Sequence, residues 1–507
     1  MKAGSVIEYR YTLRSPFYYN PENFQFQRSI PVKYSFLKIT IPEYFEFNRG
    51  VKGYDYIKTN SKATNSTFHI GGQALRCLSE EITAEVSDLT ALKDENFIWN
   101  CDDFMTGISF SLRRVVIVGV YEKNYAASWD KVVEGLMEND NFGGKLKNKG
   151  LFKDELAIIN KSEVNDEEKL RAILNLVRGK VKWNERNAFY IINPSKALKD
   201  GVGSSAEINS LLFNAVKNAG YDAGVVAMSL RSNGRIPISY ISRDNFNYFI
   251  VQVKVGDKTY YMDATRSYCD LNVIPVNCLV DKGLCINETR FDWEDLTKIG
   301  NNISRANIIA SFDENGILIG EMSKVRTGES VASFKQNYDK AKDDSEHITS
   351  LEKNNDIVIS DYSIEDKQVT VIETYKFKSN SIRLEDEIIV TIQPLLFETM
   401  QRNPFKQEER KLPIEFNYPE DERINVIFSI PAGYALDEVP KQERLLYGDN
   451  NLIDFSYLVR ADEKNVQIAY RFKLGTCIIP SGEYAELRSF ISKVYAKSQE
   501  VLVFKKL

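Results

Sequence analysis

Along the first 120 residues apolar and polar positions alternate with a period of two. The runs Val-Ile-Glu-Tyr-Arg-Tyr-Thr-Leu at 6–13 and Pro-Val-Lys-Tyr-Ser-Phe-Leu-Lys-Ile-Thr-Ile at 31–41 set β-branched and aromatic residues against polar ones. Similar runs at 66–75 and 106–120 make this stretch mostly β, and antiparallel strands of this kind close naturally into a sandwich. Near Trp129 the period changes. Trp129, Val132, Val133 and Leu136 recur at helical spacing within 127–138. A second helix is predicted over 165–181, with Asn165-Asp166 as cap candidates and Leu170, Ile173, Leu174, Leu176 and Val177 as its stripe. The third, 204–219, has the strongest signals. Ser204 and Glu207 form a capping box, Ile208, Leu211, Leu212, Ala215, Val216 and Ala219 share one face, and Gly220 stops it. A hairpin follows, in which Phe249, Val251, Val253 and Val255 alternate before Gly256-Asp257 turns the chain into Lys258–Met262. From about residue 300 the pattern is again mostly β, with a turn at Asp313-Glu314-Asn315-Gly316 and one polar helix at 330–352. The expected fold class is α+β multidomain. It comprises a β-sandwich at 1–120, an α+β core at 125–290 and a β-rich carboxyl-terminal domain at 300–507.

Composition narrows the chemistry more than the fold. Lys and Arg number 66 against 71 Asp and Glu, a net charge of −5, which argues against a whole-chain binder of nucleic acid or anionic membrane. No apolar run approaches the ~20 residues that span a bilayer, so no transmembrane segment is expected. The opening residues lack the apolar core of a signal peptide. Only two histidines occur, His69 and His347, in β-rich or polar segments where surface or packing roles are expected. Most hydrolytic triads and zinc sites draw on histidine, so both become hard to build, and no metal or cofactor is expected. Six cysteines without a CxxC pair read as buried free thiols. Even the closest cluster, Cys269, Cys278 and Cys285, is a poor zinc site. The acidic run Glu385-Asp386-Glu387 reads as a solvated strand start rather than a glycosidase carboxylate pair.

Helix 204–219 and the hairpin can build a site together. A helix start favours anions and activates a thiol placed there. A two-residue turn at Gly256-Asp257 sets Asp263 opposite Ile250, which makes Tyr248 and Asp263 diagonal neighbours on one face. This is the layout of a papain-like thiol site: nucleophile at a helix start, base and orienting acid on adjacent strands. The segments AGSVIEYRYTLRSP, IPVKYSFLKITIPEYF, NPSKALKDGVGSSAEIN, FNYFIVQVKVGDKTYYMDAT, NPFKQEERKLPIEF and IPAGYALDEVPK resemble, nearly end to end, bacterial transglutaminase-like proteins. In these a papain-type core is flanked by two β-rich domains of uncharacterised function. The resemblance places the family's catalytic cysteine at Ser205 and its histidine at Tyr248, after Phe246-Asn247. Its orienting aspartate falls at Asp263, the one position kept. No cysteine lies between Cys101 and Cys269 to restore a nucleophile. Family members usually carry a secretion signal and more sandwich sequence before AGSVIEYRY, so the first domain is expected to be amino-terminally incomplete. The resemblance also implies an extracytoplasmic home, periplasm or cell surface.

The degenerate triad should not react. A serine hydroxyl at neutral pH needs a base, and a tyrosine of ordinary pKa near ~10 is a poor one. Gly203-Ser204-Ser205-Ala206-Glu207 also misses the last glycine of a G-x-S-x-G elbow. The simplest structural readings make Ser204 and Glu207 caps, Ser205 idle, Tyr248 a packed aromatic partnered by Asp263, and Trp183 core rather than oxyanion support. The first expectation is thus a transglutaminase-like pseudoenzyme, a non-catalytic protein- or peptide-binding or scaffolding module of the cell envelope whose groove persists. One alternative is a serine-dependent acyl transferase or peptidase at Ser205, with Tyr248 and Asp263 in unusual roles. Another is a carbohydrate-binding surface protein using its 27 tyrosines and 28 phenylalanines. Ligand identity and oligomeric state are not legible.

Overall fold

The computed structural model describes residues 4–15, 21–70, 73–93, 95–117, 121–124, 128–148, 150–236, 241, 245–288, 290–300, 302–367, 369–384 and 388–507. The acidic run at 385–387 lies outside them. The chain folds into two compact units, the first made of 1–94, 101–136 and 236–245, the second of 95–100, 137–235 and 246–507.

The first unit is built on two antiparallel sheets. One orders Val32–Pro42, Gln73–Leu89 and Lys58–Ile70; the other holds Phe24–Gln25, Gly107–Ile117 and Phe45–Lys52, with Tyr121–Asn124 beside Gly107–Ile117. Ile41, Ile82, Ala84 and Val86 from the first sheet share an apolar cluster with Phe45, Ile108, Phe110 and Val115 from the second. Two expected strands are corrected. Residues 6–13 form no strand, and Val6, Tyr9 and Leu13 are strongly exposed. Alternation makes a strand only where a neighbour completes the ladder and a face is buried. Residues 66–75 are two strands, because Lys58–Ile70 pairs antiparallel with Gln73–Leu89 in a register that sets Ile70 against Gln73.

The second unit carries a five-stranded antiparallel sheet in the order Lys258–Met262, Tyr248–Val255, Asp222–Met228, Gly283–Asn287, Arg290–Glu294. Helices Asp166–Lys180 and Ser205–Asn218 accompany it. Asn165 caps the first through Glu168 N–H at 3.0 Å, and Leu170, Ile173, Leu174 and Val177 are buried. The second starts on the expected capping box and ends in a Schellman motif. Gly220, at φ +96°, donates to Lys217 O at 3.0 Å, and Tyr221 N–H donates to Val216 O at 3.2 Å.

An eight-stranded sheet follows, with Ile303–Phe312 and Glu420–Ser429 as its parallel central pair. The turn at 313–316 forms as expected, since Asp313 Oδ1 accepts the N–H groups of Asn315 and Ile317, both at 2.9 Å. The single polar helix expected at 330–352 is two, Glu329–Tyr338 and Asp344–Asn355. Asp343 restarts the helix by accepting Glu346 N–H at 2.9 Å. A further helix, Tyr484–Ser498, lies in the expected β region and buries Tyr484, Leu487, Phe490, Ile491 and Val494. All six cysteines are buried, and no disulfide forms among the described residues. No helix among the described residues is long and apolar enough to cross a membrane.

One buried acid sets a pH dependence. Glu329 is 2% exposed at a helix start, and burial raises its carboxyl from the ordinary 4.5 to about 8, against the hydrogen bond from Ile274 N–H and the field of Arg231. A raised folded pKa gives stability that is full below the unfolded value and is lost as pH rises through the folded one. Glu329→Gln keeps the acceptor without the charge. Its advantage over the native protein should grow between pH 4.5 and about 8, reaching on the order of 5 kcal/mol. Urea unfolding at several pH values checks this, and equal midpoints throughout would contradict it.

Candidate functional site

The short parallel pair Lys182–Trp183 with Val202–Gly203 delivers the chain to the start of helix Ser205–Asn218. Gly203 is required by close packing, since a Cβ there would stand 2.8 Å from the Ala197 Cβ. Ser204 Oγ accepts Glu207 N–H at 3.5 Å. Glu207 Oε2 in turn accepts Ser204 N–H at 2.9 Å, and its Oε1 accepts Asn193 N–H at 3.1 Å. Both residues therefore serve the helix start, and Glu207 also fixes the loop before it.

Ser205 is 1% exposed and is not idle. Its Oγ accepts the Ala188 N–H at 2.9 Å and donates to the Ala188 carbonyl at 3.2 Å, while its own N–H donates to Arg186 O at 3.1 Å. The hydroxyl thus closes on the backbone of the loop beside it. One turn further along the same face, Asn209 is fully buried. Its Nδ2 donates to Phe249 O at 2.9 Å and to Asp263 Oδ2 at 3.1 Å, and its Oδ1 accepts Ala264 N–H at 3.0 Å. Residues four apart on a helix are stacked neighbours, so Asn209 brings the helix start to the base of the hairpin.

The hairpin has the expected register: Val255 opposes Lys258 and Val251 opposes Met262. Tyr248 and Asp263 consequently meet, with the phenol donating to Asp263 Oδ2 at 2.8 Å. Asp263 Oδ1 accepts the N–H of Thr265 at 2.8 Å and its hydroxyl at 2.5 Å. Tyr248 is 3% and Asp263 0% exposed. Burial, reinforced by the Asp263 charge, pushes the Tyr248 phenol well above 10. Asn247 holds the strand entry, its Oδ1 accepting Leu230 N–H at 2.9 Å.

The Tyr248 hydrogen is committed to Asp263, and a neutral phenol is too weak a base to take the proton of Ser205. His347 is engaged with Glu373 at 3.3 Å, and His69 lies on the strand Lys58–Ile70 of the first unit. A cavity of about 620 Å³ adjoins the network, lined among others by Arg178, Trp183, Glu185, Thr265, Arg266 and Tyr268. Trp183 is not core: it is half-buried, its Nε1 donates to Arg186 O at 3.1 Å, and the Arg266 guanidinium stacks 4.0 Å over its ring. Sequence reasoning missed Asn209, Thr265 and Arg266. No group of His, Cys, Asp and Glu among the described residues could hold a metal ion.

Residues 386–504 match the model of a domain of unknown function with a solved structure, DUF3858. The fold is similar to the crystal structure of a candidate protease from Parabacteroides distasonis, with TM-score 0.53 and 14% identity over 96% of this chain and 76% of that one. A candidate cysteine protease from Cytophaga hutchinsonii gives TM-score 0.20 and 10% identity over 48% of this chain and 74% of that one. Of these two, the first alone bears on the fold, and at that identity it speaks to fold alone. No curated protein matches the chain. The structure that bears on the fold is itself a candidate protease, and the overall character of this chain is β-rich and multidomain.

Proposed function

We propose that this protein is a transglutaminase-like pseudoenzyme of the cell envelope, a module that binds a protein or peptide without cutting or cross-linking it. The observation that carries this reading is the closed set of hydrogen bonds at the three triad positions. Ser205 Oγ is spent on Ala188, the Tyr248 proton is spent on Asp263, and all three side chains are shut away from solvent. A serine acyl transferase would need an exposed hydroxyl with a base beside it, and these contacts offer neither. The adjoining cavity, with Trp183 and Arg266 on its wall, is a suitable seat for an extended peptide. The extracytoplasmic placement rests on the family resemblance.

The test restores the missing residue types. The native protein should take up neither a serine-directed phosphonate nor a thiol reagent at this site. In the double variant Ser205→Cys, Tyr248→His, the imidazole is placed beside Asp263 and the thiol at a helix start. The introduced thiol should alkylate at pH values below the ordinary thiol range of about 8.5. A phosphonate adduct on native Ser205, lost in Ser205→Ala, would overturn the reading in favour of a serine enzyme. A double variant that folds yet stays inert would show that the packing which shuts position 205 from solvent, and not the changed residue types alone, keeps the site silent.

A further inference from the structure

A second cavity, about 710 Å³ and lined by none of Ser205, Tyr248 or Asp263, opens within the second unit. Its walls come from residues 95–99, the loop 402–410 and Arg231, and its volume suits a small molecule. Both acids on its wall are in ion pairs, although Glu95 Oε2 and Glu415 Oε1 make no hydrogen bond. Glu95 pairs with Arg410 at 3.2 Å; Glu415 pairs with Arg235 at 2.6 Å and accepts the Trp99 N–H at 2.6 Å. Arg410 itself is a staple, donating to the carbonyls of Asn96, Leu412 and Pro413.

The other cations are differently placed. Arg402 and Lys406 are exposed on the loop and have no ion pair among the described residues. Arg231 is 4% exposed. Its Nε donates to the Leu279 carbonyl at 2.8 Å, its Nη2 reaches Asn417 O at 2.9 Å, and its guanidinium lies 3.7 Å over the Trp99 ring. Its Nη1 is buried with no hydrogen-bond partner, and no carboxylate stands at ion-pair distance among the described residues. Burial lowers its pKa to about 10, which leaves it charged at neutral pH. A buried guanidinium with an unmade hydrogen bond and no carboxylate paired to it is costly even in the field of Glu415, and an anion in the cavity supplies both the bond and the pair.

We infer that this cavity binds the oxyanion group of a small acidic molecule, with Arg231 as its buried anchor and Arg402 and Lys406 as its rim. Trp99, Phe405 and Tyr484 form the walls that receive the rest of the ligand. Carboxylate and phosphate share the chemistry that a guanidinium recognises, so the source is left to the experiment. The inference is independent of the reading of Ser205.

Three probes with one ring body separate the contributions: glucuronate, a hexose phosphate and uncharged glucose, each titrated calorimetrically into the full chain. At least one acidic probe should bind saturably at millimolar concentration or below, and glucose should not. Whichever acid binds names the source, carboxylate or phosphate. The rim variant Arg402→Gln, Lys406→Gln alters exposed side chains and should fold normally while weakening binding by about tenfold or more. Arg231→Gln should abolish binding, with native circular dichroism as the check that it has folded. Absence of saturable binding by both acids, or equal affinity in the native and rim-variant proteins, would overturn the proposal.

Discussion

Asp263→Ala should destabilise the second unit by about 3–5 kcal/mol, far more than Ser205→Ala, which should cost about 1–2 kcal/mol. The difference follows from what each side chain holds. Asp263 collects four donors in a fully buried place: the Tyr248 hydroxyl, Asn209 Nδ2, and the N–H and hydroxyl of Thr265. Removing the carboxylate strands these donors at once. Ser205→Ala instead frees one N–H and one carbonyl of Ala188, at the edge of a loop. Tyr248→Phe removes one charge-assisted bond and should fall between the two, and its coupling to Asp263→Ala in a double-mutant cycle should exceed about 1 kcal/mol. Hydrogen exchange on peptides from 205–218 and 248–262 reads these losses without assuming that the whole chain unfolds in one step. Equal losses for Asp263→Ala and Ser205→Ala would mean that the aspartate does not organise the site. In the proposed reading this aspartate, the one triad position kept, has passed from orienting a base to holding a helix against a hairpin.

The parts of the site set by short-range rules were legible in the chain. The Ser204–Glu207 box, the Gly220 stop and the Gly256-Asp257 turn each depend on residues within a few positions of one another, and each forms. The Tyr248–Asp263 contact followed from the register that this turn imposes. Ser205's partner was not legible, because Ala188 lies 17 residues earlier in a loop with no periodic pattern. Asn209 could have been found. It lies between Ile208 and Leu211 on a helix whose middle is buried, and a polar residue so placed must find a partner. The helix Tyr484–Ser498 also had a signal, apolar residues at 484, 487, 491 and 494, obscured by the strands before it. Residues 6–13 show the opposite failure. Alternation reports which face a strand could bury, and it is silent on whether anything is there to cover it.

Acid should loosen the eight-stranded sheet around Glu373, where the helix Asp344–Asn355 meets it through His347. This carboxylate is 2% exposed and has three partners: Arg326 Nη2 at 2.8 Å, the Tyr362 hydroxyl at 2.9 Å and His347 Nε2 at 3.3 Å. Burial alone would raise its pKa. The hydrogen bonds from His347, Arg326 and Tyr362, together with the Arg326 charge, prevail and hold it from the ordinary 4.5 down to about 2. A depressed folded pKa gives stability that is present above the unfolded value and is lost as pH falls through the folded one. The window is therefore pH 4.5 to 2, and the loss is on the order of 3 kcal/mol. Glu373→Gln should bring most of that loss forward to neutral pH, since it leaves the Arg326 guanidinium buried without its counter-charge. Hydrogen exchange on peptides from 357–383 should speed up in the native protein between pH 4.5 and 2, after correction for intrinsic rates. In Glu373→Gln the same peptides should exchange fast at neutral pH and show little further change in that window. An acid response that survives the substitution would assign it to other carboxylates, with Asp421, which Arg423 and Arg471 hold low, as the next to replace.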